Sequence, residues 1–360
     1  MKTLKDFNLK NKRVLVRCDF NVPLNENGDI LDDFRIQKTL PTINYLAQKE
    51  AKIILISHLD DPEDKVVENL RLTNIQKRLE ELLGKSVIKP DDCIGEDIKE
   101  KTLKIKDEIV LLENLRFHKE EEEGDLNFAK ELSKLGDIYI NEAFSVCHRS
   151  HASIVGITKY LPSGAGLILE SEIEYLKKIL SNPKKPMIAI IGGKKVETKA
   201  KFINRISEIC DQVLISGLIE KEIEEKKIEI QNPEKIIKPV DEVGGGLDIG
   251  PKTIKLFREI IMEAETIIWN GPLGKIEEKE FRKGTEEIAK AIIDSKVFSI
   301  AGGGETVEFI KELKLIDKFS HISTGGGAML AFLSGEKLPG LAALEEGEPR
   351  SMKLEQEALK

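Results

Sequence analysis

No CxxC pair occurs in this sequence. Its four cysteines, Cys18, Cys93, Cys147 and Cys210, lie far apart, so reduced thiols fit better than a disulfide frame or a zinc ribbon. Aromatic residues make up only 5% of the chain and include one tryptophan, which argues against stacking platforms for single-stranded nucleic acid. A net charge of −8 argues against bulk nucleic-acid binding, while leaving room for a local basic pocket. The longest apolar runs, such as "IIWN" and "EIVLLEN", are of strand length, so no membrane span is expected. The opening "MKTLKDFNLKNKRVLVRC" carries basic residues but no apolar signal core, and a cytoplasmic location is the expectation. Neither G-x-x-x-x-G-K-[ST] nor G-x-G-x-x-G is present, so a nucleotide site has to be of another type. No period of 20 to 50 residues repeats.

What is present is a regular alternation. Short β-branched runs recur at "RVLVRC" (13 to 18), "KIILIS" (52 to 57), "EIVLLE" (108 to 113) and "DIYINE" (137 to 142). A second series follows at "MIAIIGG" (187 to 193), "QVLISG" (212 to 217), "TIIWNG" (266 to 271), "VFSIAGGG" (297 to 304) and "HISTGGG" (321 to 327). Helix-period segments such as "NLRLTNIQKRLEELLG" lie between them, and near-continuous apolar strands alternating with helices imply parallel sheets covered on both faces. With 360 residues, roughly two domains of ~150 are expected. The expectation is α/β: two doubly wound, Rossmann-like domains, over 1–160 and 186–338, joined by a helical hinge over 161–185 and followed by a tail, 339–360, that returns to the first domain.

In open parallel sheets ligands bind beyond the carboxyl ends of the strands, so the residues just after each run matter most. The first half offers "RCDFN", "SHLDD", "ENLRFH" and "INEAFSVCHRSH" there. Arg35, Arg116 and Arg149 with His58 and His148 are candidates to surround a small anion, because guanidinium suits bidentate carboxylate or phosphate recognition. Taken singly, each arginine also reads as an ordinary ion pair. The acidic run "KEEEEGD" at 119 to 125 reads as a solvated face. The second half offers glycines instead, in "GGKK", "NGPLG", "GGGET" and "STGGG". Glycines at strand ends let backbone N–H groups approach phosphate, and a helix start adds its positive end. Lys195 and Lys199, four apart, could hold two phosphate groups.

Together "RVLVRCDFNVPL", "LPTINYL", "LLENLRFHKEEE", "INEAFSVCHRSHAS", "IIWNGPLG" and "SHISTGGGAMLAFLSGEKLPG" resemble the phosphoglycerate kinase family, in that family's order and over nearly the whole chain. The resemblance implies a two-lobed hinge enzyme that moves a phosphoryl group between 1,3-bisphosphoglycerate and MgADP, giving 3-phosphoglycerate and MgATP. It implies Asp19, Asn21, Arg35, His58, Arg116 and Arg149 as the phosphoglycerate site. It implies Gly193, Lys195, Lys199, Asn270, Glu277, Gly302, Gly303, Gly304, Glu305 and Thr306 as the nucleotide site, with Glu305 the Mg2+ ligand. Arg35, Lys199 and the amides of Gly325, Gly326 and Gly327 are the residues chosen to stabilise the moving group. The family also suggests a monomer with small-molecule substrates, and no nucleic-acid or membrane partner is expected.

Three departures stand out. Where the family pattern runs Ser-His-Leu-Gly-Arg-Pro this chain has Asp60 and Asp61, Glu305 replaces an aspartate, and the adenine-side segment after "QVLISG" is charged and much shorter. An active kinase, a non-catalytic relative that binds a ligand or partner, and a kinase for a different carboxylate are therefore all consistent with the residues. His58, Asp60, Asp61, Glu63 and Asp64 present first as a metal cluster; beside the resemblance they read as a retained cleft histidine followed by a missing cation.

Overall fold

Val14, Leu15, Val16 and the run Ile53 to Ile56 are almost wholly buried. Side chains point alternately to opposite faces of a strand, so burial of consecutive residues demands cover on both sides of the sheet. Helices linking parallel strands supply it. The computed structural model describes residues 1–105, 109–193 and 196–346. They divide into two units, one of Met1–Glu172 with the stretch starting at Lys337, the other of Ile173–Glu336. Lys194, Lys195 and the end of the tail from 347 lie outside the described residues.

The first unit is built on β1 (Arg13–Arg17), β2 (Lys52–Ile56), β3 (Val87–Ile88), β4 (Ile109–Leu111), β5 (Ile138–Asn141) and β6 (Ser163–Ala165). They form one sheet in the order β3-β4-β2-β1-β5-β6, every pairing parallel. Arg17 is in register with Ile56 and with Asn141, so the carboxyl ends of the three central strands finish flush. One face of the sheet is packed by Ile36, Ile43 and Leu46 of the helix Phe34–Gln48 and by Ile75 and Leu79 of the helix Thr73–Leu83. At about 1.5–3 kcal/mol for each large aliphatic side chain buried, this cluster dominates the unit's stability.

The second unit contains β7 (Met187–Ile191), β8 (Gln212–Ile215), β9 (Ile236–Ile237), β10 (Glu242–Val243), β11 (Asp248–Ile249), β12 (Thr266–Asn270), β13 (Phe298–Gly302) and β14 (His321–Ile322). Its main sheet runs β14-β13-β12-β7-β8-β9, again parallel, and β10 with β11 forms a separate antiparallel pair. Asn270 is level with Ile191 and with Gly302, which places residues 192, 271 and 303 along one edge. The strand order reverses between β7 and β12, the place where such sheets open a crevice.

The fold is thus the expected pair of doubly wound α/β domains. The sequence reading passes over β3, β6, β9 and the β10–β11 pair, all of two or three residues, too short for a period to show. β6 lies inside the expected hinge segment and is followed by the helix Leu167–Ser181, within which the two units divide. The helix Pro339–Glu345 belongs to the first unit, where the Gly340 N–H donates to the Cys147 carbonyl at 2.9 Å. Among the described residues no helix is long and apolar enough to cross a membrane.

Candidate functional site

At the flush carboxyl edge of the first sheet three arginines converge on one imidazole. Arg17, the last residue of β1, is fully buried. Its Nη2 lies 3.3 Å from His58 Nδ1, its Nε donates to Ser153 Oγ at 2.7 Å and its Nη1 donates to the Cys18 carbonyl at 2.6 Å. His58, two residues past β2, is buried, and its pKa is driven well below the ordinary value by burial first, then by Arg17, Arg116 and Arg35. It is therefore a neutral ring in a cationic pocket. Arg35, near the start of the helix Phe34–Gln48, donates from Nη1 to Asp19 Oδ2 at 2.6 Å. Asp19 is itself fixed by the Ser145 hydroxyl and by the Asn21 N–H at 3.1 Å.

Arg116 sits in the single turn after β4, which Asn114 shapes by accepting from the Arg116 N–H at 3.2 Å. Its Nη1 donates to the Asp60 carbonyl at 2.7 Å, and the Asp60 N–H donates to Asn21 Oδ1 at 2.8 Å. Two buried nitrogens in this cluster, Arg116 Nε and His151 Nδ1, have no hydrogen-bond partner among the described residues, the Glu121 carboxylate standing 3.8 Å from His151 Nδ1. Orphaned polar atoms of this kind cost roughly 1–3 kcal/mol each and mark places that a ligand completes. Burial, with Arg17, Arg116 and Arg149 next, pushes His151 down to about 3. Asp61 is exposed, and its carboxylate adds to the field acting on Arg116.

The run "KEEEEGD" departs from the solvated face expected of it. Glu121 is fully buried, accepts from Ser153 Oγ at 2.5 Å and from the Ser153 N–H at 2.9 Å, and pairs with Arg17 at 3.7 Å. Glu122 pairs with Arg116 at 3.0 Å and with Arg149 at 3.9 Å. Glu120 and Glu123 fit the expectation better, and Glu123 is 60% exposed. The short helix Lys119–Glu123 ends on Gly124, whose φ of +70° turns the chain back beneath the cluster; a Cβ there would stand 2.5 Å from the Ser150 carbonyl. Arg149 and His148 are both exposed. Arg17, Glu121, Ser153 and His151 were not singled out from sequence. Only Arg17 leaves a signal there, as a charge closing an apolar strand.

In the second unit the backbones after β7 and β12 touch. A Cβ on Gly192 would lie 2.0 Å from the Pro272 carbonyl and one on Gly271 2.0 Å from that of Gly192, so only glycine permits the approach. Lys199, in the helix Val196–Ile209, lies over this crack and donates to the Gly192 carbonyl. A Cβ on Gly193 or Gly271 would come within 3.0 Å of its Nζ. Burial lowers Lys199 to about 8, opposed by Glu305 and Glu222. Glu305 is thereby within electrostatic reach of the ammonium, exposed in the first turn of the helix Gly304–Glu312.

Asn270 closes β12 and donates to the Gly302 carbonyl at 3.1 Å, and Thr306 Oγ1 accepts from the Gly271 N–H at 2.9 Å. The glycines separate into two kinds. Gly302 lies against Met329, and Gly326 against the Gly303 backbone at 2.6 Å from a would-be Cβ, so packing explains their lack of a side chain. A Cβ on Gly304 would meet nothing within 4 Å among the described residues, and Gly304, like Gly327, is exposed, leaving helix-start amides open to an anion. Gly325 precedes the helix Gly326–Leu333, its N–H donating to Ser323 Oγ at 3.3 Å. Gly193, Lys199, Asn270, Gly302 to Thr306 and Gly325 to Gly327 thus share one edge of the sheet. Glu277 is exposed in the loop after β12, where Lys275 feels its charge. Lys195 lies outside the described residues.

The phosphoglycerate kinase family model matches residues 4–227 and 219–336, the two stretches meeting at the shortened segment after β8. A phosphoglycerate kinase of Dictyoglomus turgidum is 45% identical over 389 aligned residues, covering 95% of this chain and 98% of the relative. One of Prochlorococcus marinus is 42% identical, covering 96% and 98%. Among solved structures, phosphoglycerate kinase from Pyrococcus horikoshii superposes with a TM-score of 0.87 at 34% identity over 96% of this chain and 98% of that one. That from Coxiella burnetii gives 0.78 at 30% identity, covering 96% and 99%.

Proposed function

The chain belongs to the phosphoglycerate kinase family and is a glycolytic phosphotransferase, and from that premise we propose how its residues divide the work. It transfers a phosphoryl group reversibly between 1,3-bisphosphoglycerate and ADP, giving 3-phosphoglycerate and ATP. In our reading the first unit takes the phosphoglycerate through Asp19, Asn21, Arg35, His58, Arg116 and Arg149. The observation that carries this is the pair of orphaned nitrogens, Arg116 Nε and His151 Nδ1, buried among guanidiniums at the carboxyl edge of the sheet. An anion there would give both a partner and would face Arg17, Arg35 and Arg116 at once.

The second unit takes the nucleotide. The amides at Gly304, Gly326 and Gly327, with Lys199, would meet its phosphates, Gly325 leading the chain into that second helix start, and Asn270, Thr306 and the glycines around them would hold the loops that present those amides. Glu305 offers one exposed carboxylate oxygen donor at a helix start, which suits Mg2+, an ion that commonly takes one or two carboxylates and fills its remaining positions with phosphate oxygens and water. Mg2+ bound there would neutralise phosphate charge.

Phosphoryl transfer needs alignment and charge neutralisation more than covalent help from the protein. The acceptor carboxylate is already anionic, so no general base is required. Arg35 stabilises the group in flight, and Asp19 sets its guanidinium plane. Both ligands must be brought into line and water excluded for the step to proceed, and the helix Leu167–Ser181 is the element we assign to that hinge. We further propose a cytoplasmic monomer without nucleic-acid or membrane partners, the nucleic-acid reading resting on the net charge of −8 and the rest on what the family resemblance implies. The test is a coupled assay with Mg2+, ATP and 3-phosphoglycerate. Turnover is expected, falling about 100-fold or more in Arg35→Ala; equal rates in folded wild type and variant would overturn the assignment.

A further inference from the structure

Beside the anion pocket, near enough for Cys93 to feel the charge of Glu121, the first unit brings together three side chains of a kind that bind soft divalent metals. Asp92, Cys93 and His118 each place one ligand atom so that all three lie within 4.8 Å of one another, the one such group among the described residues. His118 Nε2 is 2.7 Å from Asp92 Oδ1. Both outer elements are held: the Asp92 carbonyl accepts from the Glu113 N–H at 3.5 Å, and the His118 ring packs on Phe128 with centroids 5.2 Å apart. A supporting contact of this sort fixes the orientation of a ligating imidazole.

We propose that Asp92, Cys93 and His118 form a binding site for one soft divalent cation of the Zn2+ class, with water completing a four-coordinate shell. The donor set is one thiolate sulfur, one imidazole nitrogen and one carboxylate oxygen, which selects such ions over Mg2+ or Ca2+. With bonds of roughly 2.0–2.3 Å, ligand atoms around a tetrahedral ion stand ~3.5 Å apart, so the His118 and Asp92 atoms separate by about 0.8 Å while the others draw in by up to about 1.3 Å. The ion displaces the proton between His118 and Asp92 and the thiol proton of Cys93. Starting from an imidazolium paired with the Asp92 carboxylate, two protons leave as two positive charges arrive, and the site keeps its net charge. Asp92 is about half exposed and His118 one-quarter exposed, while Cys93 is wholly buried, so the ion enters from the carboxylate side with the sulfur at its floor. Cysteine spacing hides the site because only one of its ligands is a cysteine.

The test is titration of the full chain with Co2+, followed by competition with Zn2+. One equivalent of Co2+ is expected to give a thiolate-to-cobalt charge-transfer band with the visible intensity of a four-coordinate ion, displaced by Zn2+ and insensitive to excess Mg2+. Cys93→Ser should abolish the band. His118→Ala, at a partly exposed position, should weaken binding beyond the roughly 10–100-fold that loss of a supporting contact costs, and serves if the buried cysteine variant fails to fold. No charge-transfer band in the wild type, or one that survives both substitutions, would overturn the proposal.

Discussion

Replacing Glu121 by Gln should destabilise the first unit far more than any neighbouring change in the run of glutamates. Glu121 and Arg17 are both 0% exposed and lie 3.7 Å apart. The Glu121 carboxylate also takes two hydrogen bonds from Ser153, at 2.5 and 2.9 Å. A glutamine keeps one acceptor oxygen, so one Ser153 donor comes to face an NH2 group, and Arg17 is left as a buried cation without its counter-charge. Removing one partner of a buried pair costs about 3–5 kcal/mol; with a urea slope of about 3 kcal/mol per M, the upper end of the usual range and the one that suits a large unit, the midpoint should fall by about 1–2 M. Glu123→Gln two residues on, at a 60% exposed site paired among the described residues with Lys119 alone, is the control and should move it little. The single tryptophan, Trp269, belongs to the second unit, so its fluorescence reports that unit while circular dichroism follows both. Equal dichroism midpoints for the two variants would refute the claim that Glu121 is the buried counter-charge of the anion pocket.

Three further outcomes follow from the geometry. Asp61→Arg should lower the KM for 3-phosphoglycerate about thirtyfold with kcat little changed, since charges at 4 Å are worth about 1 kcal/mol each in water and the change is two units; the gain should shrink with added salt, and an unchanged KM would show that residue 61 does not face the ligand. Lys199, held at about 8 by burial, loses its charge as pH rises through that value, so ADP affinity measured by calorimetry should decline above about pH 8, and Lys199→Met should bind weakly with a flatter profile. Burial raises Glu142 to about 7, so the folded state keeps a proton that the unfolded chain releases near 4.5; this contribution is present at low pH and is lost as pH rises through about 7. Thermal melts should therefore show the stability difference between Glu142→Gln and wild type moving in the variant's favour between pH 5 and 8.

The parts of this molecule that sequence discloses are those whose physics is local. "RVLVRC", "KIILIS", "MIAIIGG" and "TIIWNG" become β1, β2, β7 and β12 because a buried parallel strand needs a continuous apolar run and nothing else. The residues after them could be named as site candidates for the same reason, since the position of a strand end fixes what stands at the sheet's edge. What escaped is set by pairing across distance. Nothing local separates Glu121 from Glu123, and burial is decided by where Ser153 and Arg17 arrive, 32 and 104 residues away along the chain. Glycine identity is ambiguous in the same way. Gly302 and Gly304 look alike in "AGGGET", yet one is filled by Met329 and the other opens to solvent.

The acidic loop illustrates how geometry separates two substitutions that sequence presents as one. Asp60 has φ of +53°, in the left-handed region that glycine enters freely and that aspartate tolerates better than most residues. Both of its backbone groups are engaged, the N–H by Asn21 and the carbonyl by Arg116. The loop's contribution at that residue is thus made by main chain, which an aspartate supplies as well as a glycine at a small conformational cost. Asp61 differs, because what it changes is charge, and Arg116 is among the groups that feel it. Shape at residue 60 and charge at residue 61 are then independent variables. Asp60→Gly should leave the KM for 3-phosphoglycerate nearly where it is, and the electrostatic response should reside in residue 61 alone.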